Sequence, residues 1–221
     1  ADRAHPALHG LAANTMAPRV GAVTYTAMRD PRGGIMTELT VTRLDQDQFW
    51  VVTGGGVGMH DLAWLRQQLP TDGSVHLRDL TSGWCCLGVW GPRARQLVEP
   101  LAQENVSNEA FPYLTAAPVT IGSIPAYAIR ISYVGELGWE LYTPTEYGTR
   151  LWDTLWEAGQ PLGITALGGG AFDALRLEKG NRLWGADNHS EYTPYEAGVG
   201  FAVRRPKSDV IARAPVQSHR A

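Results

Sequence analysis

The amino-acid sequence predicts an α+β fold made of two intertwined β-rich lobes with flanking helices. Three observations carry that prediction. Strand-like runs alternate apolar and polar residues between short Gly- and Pro-containing turns. Other segments repeat apolar residues at three- and four-residue spacing. The two kinds of segment mix without the strict strand–helix–strand alternation of a parallel sheet.

In chain order, residues 1–22 carry few periodic signals and read as a lead-in. The first lobe is expected over 23–117. It opens with a strand from Val23 to Met28, a Pro31-Arg32-Gly33-Gly34 turn, a second strand from Ile35 to Leu44 and a third from Phe49 to Thr53. In the second strand Ile35, Thr37, Leu39 and Val41 share one face, and Met36, Glu38, Thr40 and Thr42 the other. Gly54-Gly55-Gly56-Val57-Gly58 then leads into a helix over about Met59 to Leu69, with Leu62, Leu65 and Leu69 as its stripe. Strands are expected at Val75 to Thr81 and Trp84 to Trp90, and a helix from Gly91-Pro92 to about Ala102.

The second lobe is expected over 118–205, with strands at Val119 to Ile121, Ala126 to Tyr133 and Trp139 to Tyr142. Thr143-Pro144-Thr145-Glu146 reads as a capping box opening a helix whose stripe is Tyr147, Leu151, Leu155 and Ala158, closed by Gly159. Gly168-Gly169-Gly170 reads as a flexible lead-in to a further helix, Ala171 to Lys179, closed by Gly180. Residues 206–221 are expected to be a tail.

Bulk properties exclude several classes of function. A net charge of −3, with no long basic run, gives no general attraction for nucleic acid or anionic lipid. Apolar stretches are short and broken by glycine, so no membrane span is expected. The two cysteines, Cys85 and Cys86, are adjacent; on a strand they point to opposite faces, which disfavours a mutual disulfide. Both are expected to act as small apolar residues of a buried strand, in a reducing compartment: cytoplasm, or mitochondrial matrix in a eukaryote.

The glycines at 54–58 do not meet the dinucleotide spacing, and the strands around them read as antiparallel, so a tight loop is expected there. The six histidines are scattered without metal-ligand spacing, so no metal is expected. Among the carboxylates, Glu38 sits mid-strand, where glutamate is depleted, on a face with Met36, Thr40 and Thr42. Glu140 sits between Trp139 and Leu141; if Leu141 packs inward, Glu140 shares the opposite face with Gly138 and Tyr142. A carboxylate there suits a flat, nitrogen-rich ring with two adjacent N–H donors. On chemistry alone a solvated surface role stays open for both.

The stretch ISYVGELGWEL, Ile131 to Leu141, resembles the aminomethyltransferase family, the glycine-cleavage T-protein, and more closely its branch fused to dimethylglycine and sarcosine dehydrogenases and oxidases. Val23-Thr24-Tyr25-Thr26, Leu87-Gly88-Val89-Trp90-Gly91-Pro92, Leu175-Arg176-Leu177-Glu178-Lys179-Gly180 and Thr193-Pro194-Tyr195-Glu196-Ala197-Gly198 agree in order and spacing. The resemblance implies the folate-binding fold of that family, with tetrahydrofolate as cofactor and one-carbon transfer as reaction. It implies that Glu140 holds the pterin, with Tyr133 and Tyr25 near it and Trp50 where T-proteins carry a tyrosine. Glu38 falls where the family has the strand aspartate beside the reacting nitrogen, and is expected as the catalytic residue.

Departures are also legible. Phe172 stands where some T-proteins carry arginine, and Gly169-Gly170 where the dehydrogenase branch carries a Tyr-Arg pair. The resemblance further implies that the start of the fold is truncated, that the C-terminal barrel is missing and that no flavin domain is present. Expected partners are folate, a small amine or one-carbon donor, and a flavin-dependent amine dehydrogenase or oxidase. The alternative is a catalytically impaired folate-binding or regulatory subunit of a larger complex.

Overall fold

The computed structural model describes residues 3–16 and 19–204. The expected tail, 206–221, and positions 1–2 and 17–18 of the lead-in lie outside them. The chain divides into two compact units: the residues through Asp79 together with those from Arg182 onward, and Leu80–Asn181. Every pairing of the second sheet lies within that second unit, so the expected lobe limits at 117 and 118 do not coincide with the division.

In the first unit β1 (Val23–Arg29), β2 (Ile35–Arg43) and β3 (Phe49–Thr53) form an antiparallel sheet in that order. The turn joining β1 to β2 is held by Asp30, whose Oδ1 accepts the N–H groups of Arg32 at 2.8 Å and Gly34 at 3.0 Å. Burial alone would raise the Asp30 carboxyl, but the Arg32 guanidinium and these two N–H groups override it and hold the carboxyl low. Gly34 must be glycine, because a Cβ there would lie 1.9 Å from the carbonyl oxygen of Ser190. Alternation along β2 is as expected through Val41, with Thr37, Leu39 and Val41 buried and Glu38 and Thr40 half-buried; Thr42, expected on the accessible face, is buried as well.

The lead-in departs from expectation. Ala4–Leu11 is a helix, α1, and its Leu8 and Leu11 join Met28, Leu39, Val41 and Leu65 in the core of this unit. Two apolar anchors in eight residues give too little periodicity to read, and Pro6 is tolerated because it lies in the first turn. Helix α2 (Gly58–Gln68) follows β3 and contributes Leu65. The strand expected at Val75 to Thr81 does not form; the segment joins neither sheet, and Leu77 packs on the core from irregular backbone.

In the second unit β4 (Trp84–Trp90), β5 (Ala116–Ile121), β6 (Ile124–Ile129) and β7 (Gly138–Pro144) form an antiparallel sheet in the order β4-β7-β6-β5. One face carries Val119, Ile121, Ala126, Trp139 and Leu141 into a core completed by α3 (Ala94–Val98) and α4 (Gly148–Gly159). The helix expected to run from Gly91 to about Ala102 is therefore short: after Val98 the chain turns to bridge Ala102 to Ile121 and donate Gln103 N–H to Thr120. The capping box is also a misreading. Pro144 ends β7, Thr143 donates its hydroxyl to the Pro125 carbonyl at 2.7 Å and Thr145 donates to that of Ser82 at 2.9 Å, so neither caps. A 3-10 turn over Thr145–Tyr147 still starts where a helix is expected and leads directly into α4 at Gly148. Its stripe is as expected: Leu151 and Leu155 are buried, with Tyr147 and Ala158 beside them. Helix α5 (Gly169–Lys179) begins within the glycines, so Gly169 and Gly170 are its first turn rather than a flexible lead-in.

Candidate functional site

Two carboxylate-bearing sheet faces, one in each unit, hold the residues singled out from the sequence. In the first unit Glu38 lies on the half-covered face of β2. Tyr25 is paired with Thr40 and Trp50 with Thr42, so strand alternation brings Tyr25, Glu38 and Trp50 to the same face. Burial raises the Glu38 carboxyl; hydrogen bonds from Tyr25 and from Asn188 pull it back down, and the neighbouring charge of Asp187 adds to the rise. The Asn188 bond runs from Nδ2 to Glu38 Oε1 at 3.3 Å. Tyr25 in turn stacks on Phe201, with ring centroids 5.6 Å apart.

In the second unit β7 sorts its residues cleanly. Trp139 is wholly buried on the core face, edge-on to Phe111 and capped by the guanidinium groups of Arg95 and Arg130 at 5.5 and 6.0 Å. That anchor turns Glu140 to the opposite face, as its neighbour Leu141 also requires. Glu140 Oε2 accepts the Tyr142 hydroxyl at 2.7 Å, and among the described residues Oε1 accepts nothing. Burial raises the Glu140 carboxyl against the pull of Tyr142.

The wall around Glu140 is aromatic. Its cross-strand neighbour on β4 is Gly88, and the Trp90 indole occupies the space above that glycine: a Cβ there would meet ring atoms at 2.1–2.8 Å. Trp90 is fixed by its Nε1–H, which donates to the Ile131 carbonyl at 2.9 Å. Phe172 packs against both Trp90 and Tyr133, with centroids 5.9 and 5.3 Å apart, and Asn181 holds the Tyr133 carbonyl at 2.7 Å. Tyr133 thus reaches this wall through Phe172, the ring that stands in place of an expected arginine.

The cysteines correct an expectation. Cys85 is half-buried and faces the start of α4, whereas Cys86 is exposed and pairs with Tyr142 on the Glu140 face. Although the residue is exposed, its thiol is pushed up to about 12, by desolvation first and the Glu140 carboxylate second. A shift in that direction disfavours the thiolate that a nucleophilic cysteine needs.

Sequence reasoning missed three contributors. Asn188 has no periodic signal, because it acts from a turn. Strand alternation puts Tyr142 on the Glu140 face, but nothing in the sequence marks the bond between them. Asp61 is almost fully buried, taking the hydroxyls of Thr37 (2.8 Å) and Thr53 on Oδ2 and lying 2.9 Å from His60 Nδ1. A threonine at a core position of β2 was the available hint. Among the described residues no three His, Cys, Asp or Glu side chains cluster to hold a metal, and no helix is long and apolar enough to cross a membrane.

Residues 2–207 match the GCVT N-terminal domain. Human mitochondrial dimethylglycine dehydrogenase is 38% identical over 92% of this chain and 24% of its own length. An aminomethyltransferase of Symbiobacterium thermophilum is 33% identical over 88% of this chain and 53% of its own. The chain therefore spans about a quarter to a half of the length of these relatives. In fold it is similar to the crystal structure of glycine cleavage system aminomethyltransferase T from Bartonella henselae, with a TM-score of 0.81 and 23% identity, covering 98% of this chain and 58% of that one. A family match over nearly the whole chain, on a mixed helix-and-sheet fold of the same kind, identifies this chain as a member of the aminomethyltransferase (GCVT) family.

Proposed function

We propose that this chain binds the pterin ring of tetrahydrofolate through Glu140 and serves a folate-dependent one-carbon transfer in which Glu38 attends the reacting nitrogen. The observation that carries the reading is the state of Glu140: a half-buried carboxylate with Oε2 engaged by Tyr142 and Oε1 without a partner among the described residues, set in an aromatic wall opposite a glycine. A planar heterocycle with adjacent N–H donors fits that arrangement in shape and in hydrogen-bonding sense. Tetrahydrofolate, when bound, supplies the amine that accepts the one-carbon unit.

The residues of the chain supply the rest. Glu140 orients the ring, and Tyr142 fixes Glu140. Trp90, Phe172 and Tyr133 exclude water from that wall. Glu38, ionised, is a fixed negative charge suited to a developing cation; protonated, it holds a proton at its carboxyl oxygen. Tyr25 and Trp50 share its sheet face and are proposed as further cofactor contacts. The identity with dimethylglycine dehydrogenase supports an N-methylated amine as the source of the one-carbon unit, with a flavin-dependent dehydrogenase or oxidase as the partner that releases it.

Calorimetry with tetrahydrofolate on the wild type and on Glu140→Ala tests the reading. Micromolar binding is expected, weakened on the order of ten- to a hundredfold in the variant, because the charge-assisted bond to Oε1 is lost. Equal binding in both proteins, or none in either, sinks it.

A further inference from the structure

Glu38 is served by a residue that no sequence pattern singled out. Asn188 is completely buried, yet its side chain makes one bond, Nδ2 to Glu38 Oε1 at 3.3 Å, and its Oδ1 is out of water with no partner among the described residues. A buried amide with half its capacity unused is costly unless something else requires it there. The segment that carries it is built to hold that position. The Asn188 carbonyl accepts Gly185 N–H at 2.7 Å, and the backbone bridges Trp184 to Asn188. The Trp184 indole N–H donates to the Ile35 carbonyl at 2.9 Å, while Ile35 N–H donates to Tyr192 at 3.0 Å. Both backbone groups of Ile35 are thus tied to this segment, three residues before Glu38 on the same strand. Stacking of His60 on Trp184, at 5.7 Å between centroids, and the bond of His60 to buried Asp61 extend the brace to α2.

We infer that Asn188 is a positioning residue for Glu38, whose amide holds the carboxyl group in both its ionised and its protonated form. The inference rests on the proposed role of Glu38. The two ends of an amide have nearly the same shape. With Glu38 ionised, Nδ2 donates to it, as observed. With Glu38 protonated, a half-turn of the amide presents Oδ1, which accepts the new O–H and satisfies the atom now unpartnered. A lysine or arginine in this place would pin the carboxylate in its charged form; a neutral amide leaves it able to take up and release a proton. The other groups acting on Glu38 are the Tyr25 hydroxyl from β1 and the Asp187 carboxylate from the same segment as Asn188.

The test reads the Glu38 carboxyl directly by carbon NMR in the full chain without ligand, so it stands apart from folate binding. In the wild type the side-chain amide resonances of Asn188 are expected to shift at the same midpoint as Glu38. In Asn188→Leu, of similar size but without a donor, the Glu38 acid dissociation constant is expected to fall on the order of tenfold. In Asn188→Asp it falls further, since two carboxyl groups then share the site. Absence of the joint midpoint in the wild type overturns the inference even if a variant does not fold; so does an unchanged Glu38 titration in either folded variant. Loss of folate binding with the joint titration intact removes the proposed role of Glu38 and leaves its coupling to Asn188 standing.

Discussion

The Tyr142 hydroxyl donates to Glu140 Oε2 at 2.7 Å from two positions along the same strand. The bond fills one oxygen of the carboxylate and leaves the other to be claimed. It also fixes a side chain whose charged form is disfavoured by its surroundings, since burial raises the Glu140 carboxyl despite the donor. The free protein is thus held in a state that a ligand with N–H donors improves.

Glu140→Gln is accordingly expected to stabilise the free protein near neutral pH. Below the ordinary carboxylate range, folded and unfolded wild type are both protonated, and the variant gains nothing. As pH rises, the unfolded chain ionises first and the folded state loses ground, until its own raised midpoint is passed and the penalty levels off. Thermal denaturation across a pH series should therefore show an advantage for Glu140→Gln that vanishes below pH ~4 and grows as pH rises above the ordinary carboxylate range, while tetrahydrofolate binding is lost. A difference in melting temperature that does not vary with pH would contradict the burial argument.

Gly88 and Trp90 are expected to behave as one unit. An added Cβ at position 88 meets the Trp90 ring at 2.1–2.8 Å, and that ring is tethered to Ile131 and packed on Phe172. Gly88→Ala should lose about 1–3 kcal/mol by denaturant unfolding, the usual cost of overpacking. Combining it with Trp90→Gln should recover part of that loss, because neighbours that share a clash are not additive. Full additivity would mean that the indole does not occupy the space above Gly88.

Much of this was legible in the sequence because strand alternation is a strict rule. Glu38 and Glu140 could be assigned to faces from their apolar neighbours alone, and both lie half-buried opposite the core side of their strands. What was not legible depended on partners far along the chain. Asn188 lies 150 residues from Glu38, and nothing local marks it. Thr143 looked like a helix cap until the Pro125 carbonyl of the neighbouring strand claimed its hydroxyl. Leu8 and Leu11 anchor a helix too short to show a period. The expected strand at Val75 to Thr81 has strand composition but pairs with neither sheet, and β-propensity without a partner builds nothing.

Glu38→Asp is the sharpest test of catalysis. Shortening the side chain withdraws the carboxylate by about 1.5 Å, one C–C bond, and keeps the charge. In the structure the longer side chain is not loose: Asn188 holds Oε1 at 3.3 Å and Tyr25 bonds to the same carboxyl group. The surroundings are fitted to glutamate, so aspartate should leave Asn188 unpaired and the charge misplaced. Transfer of a one-carbon unit to tetrahydrofolate is expected to fall about a hundredfold, the scale of a 1 Å error in a catalytic group. The dissociation constant for tetrahydrofolate should change by only a few-fold, since Glu140 still holds the ring. Single-turnover assays beside calorimetry separate the two effects. A rise in transfer would mean that the glutamate is a geometric handicap. An unchanged rate in a protein that binds folate would remove Glu38 from the chemistry and favour the reading of a binding subunit.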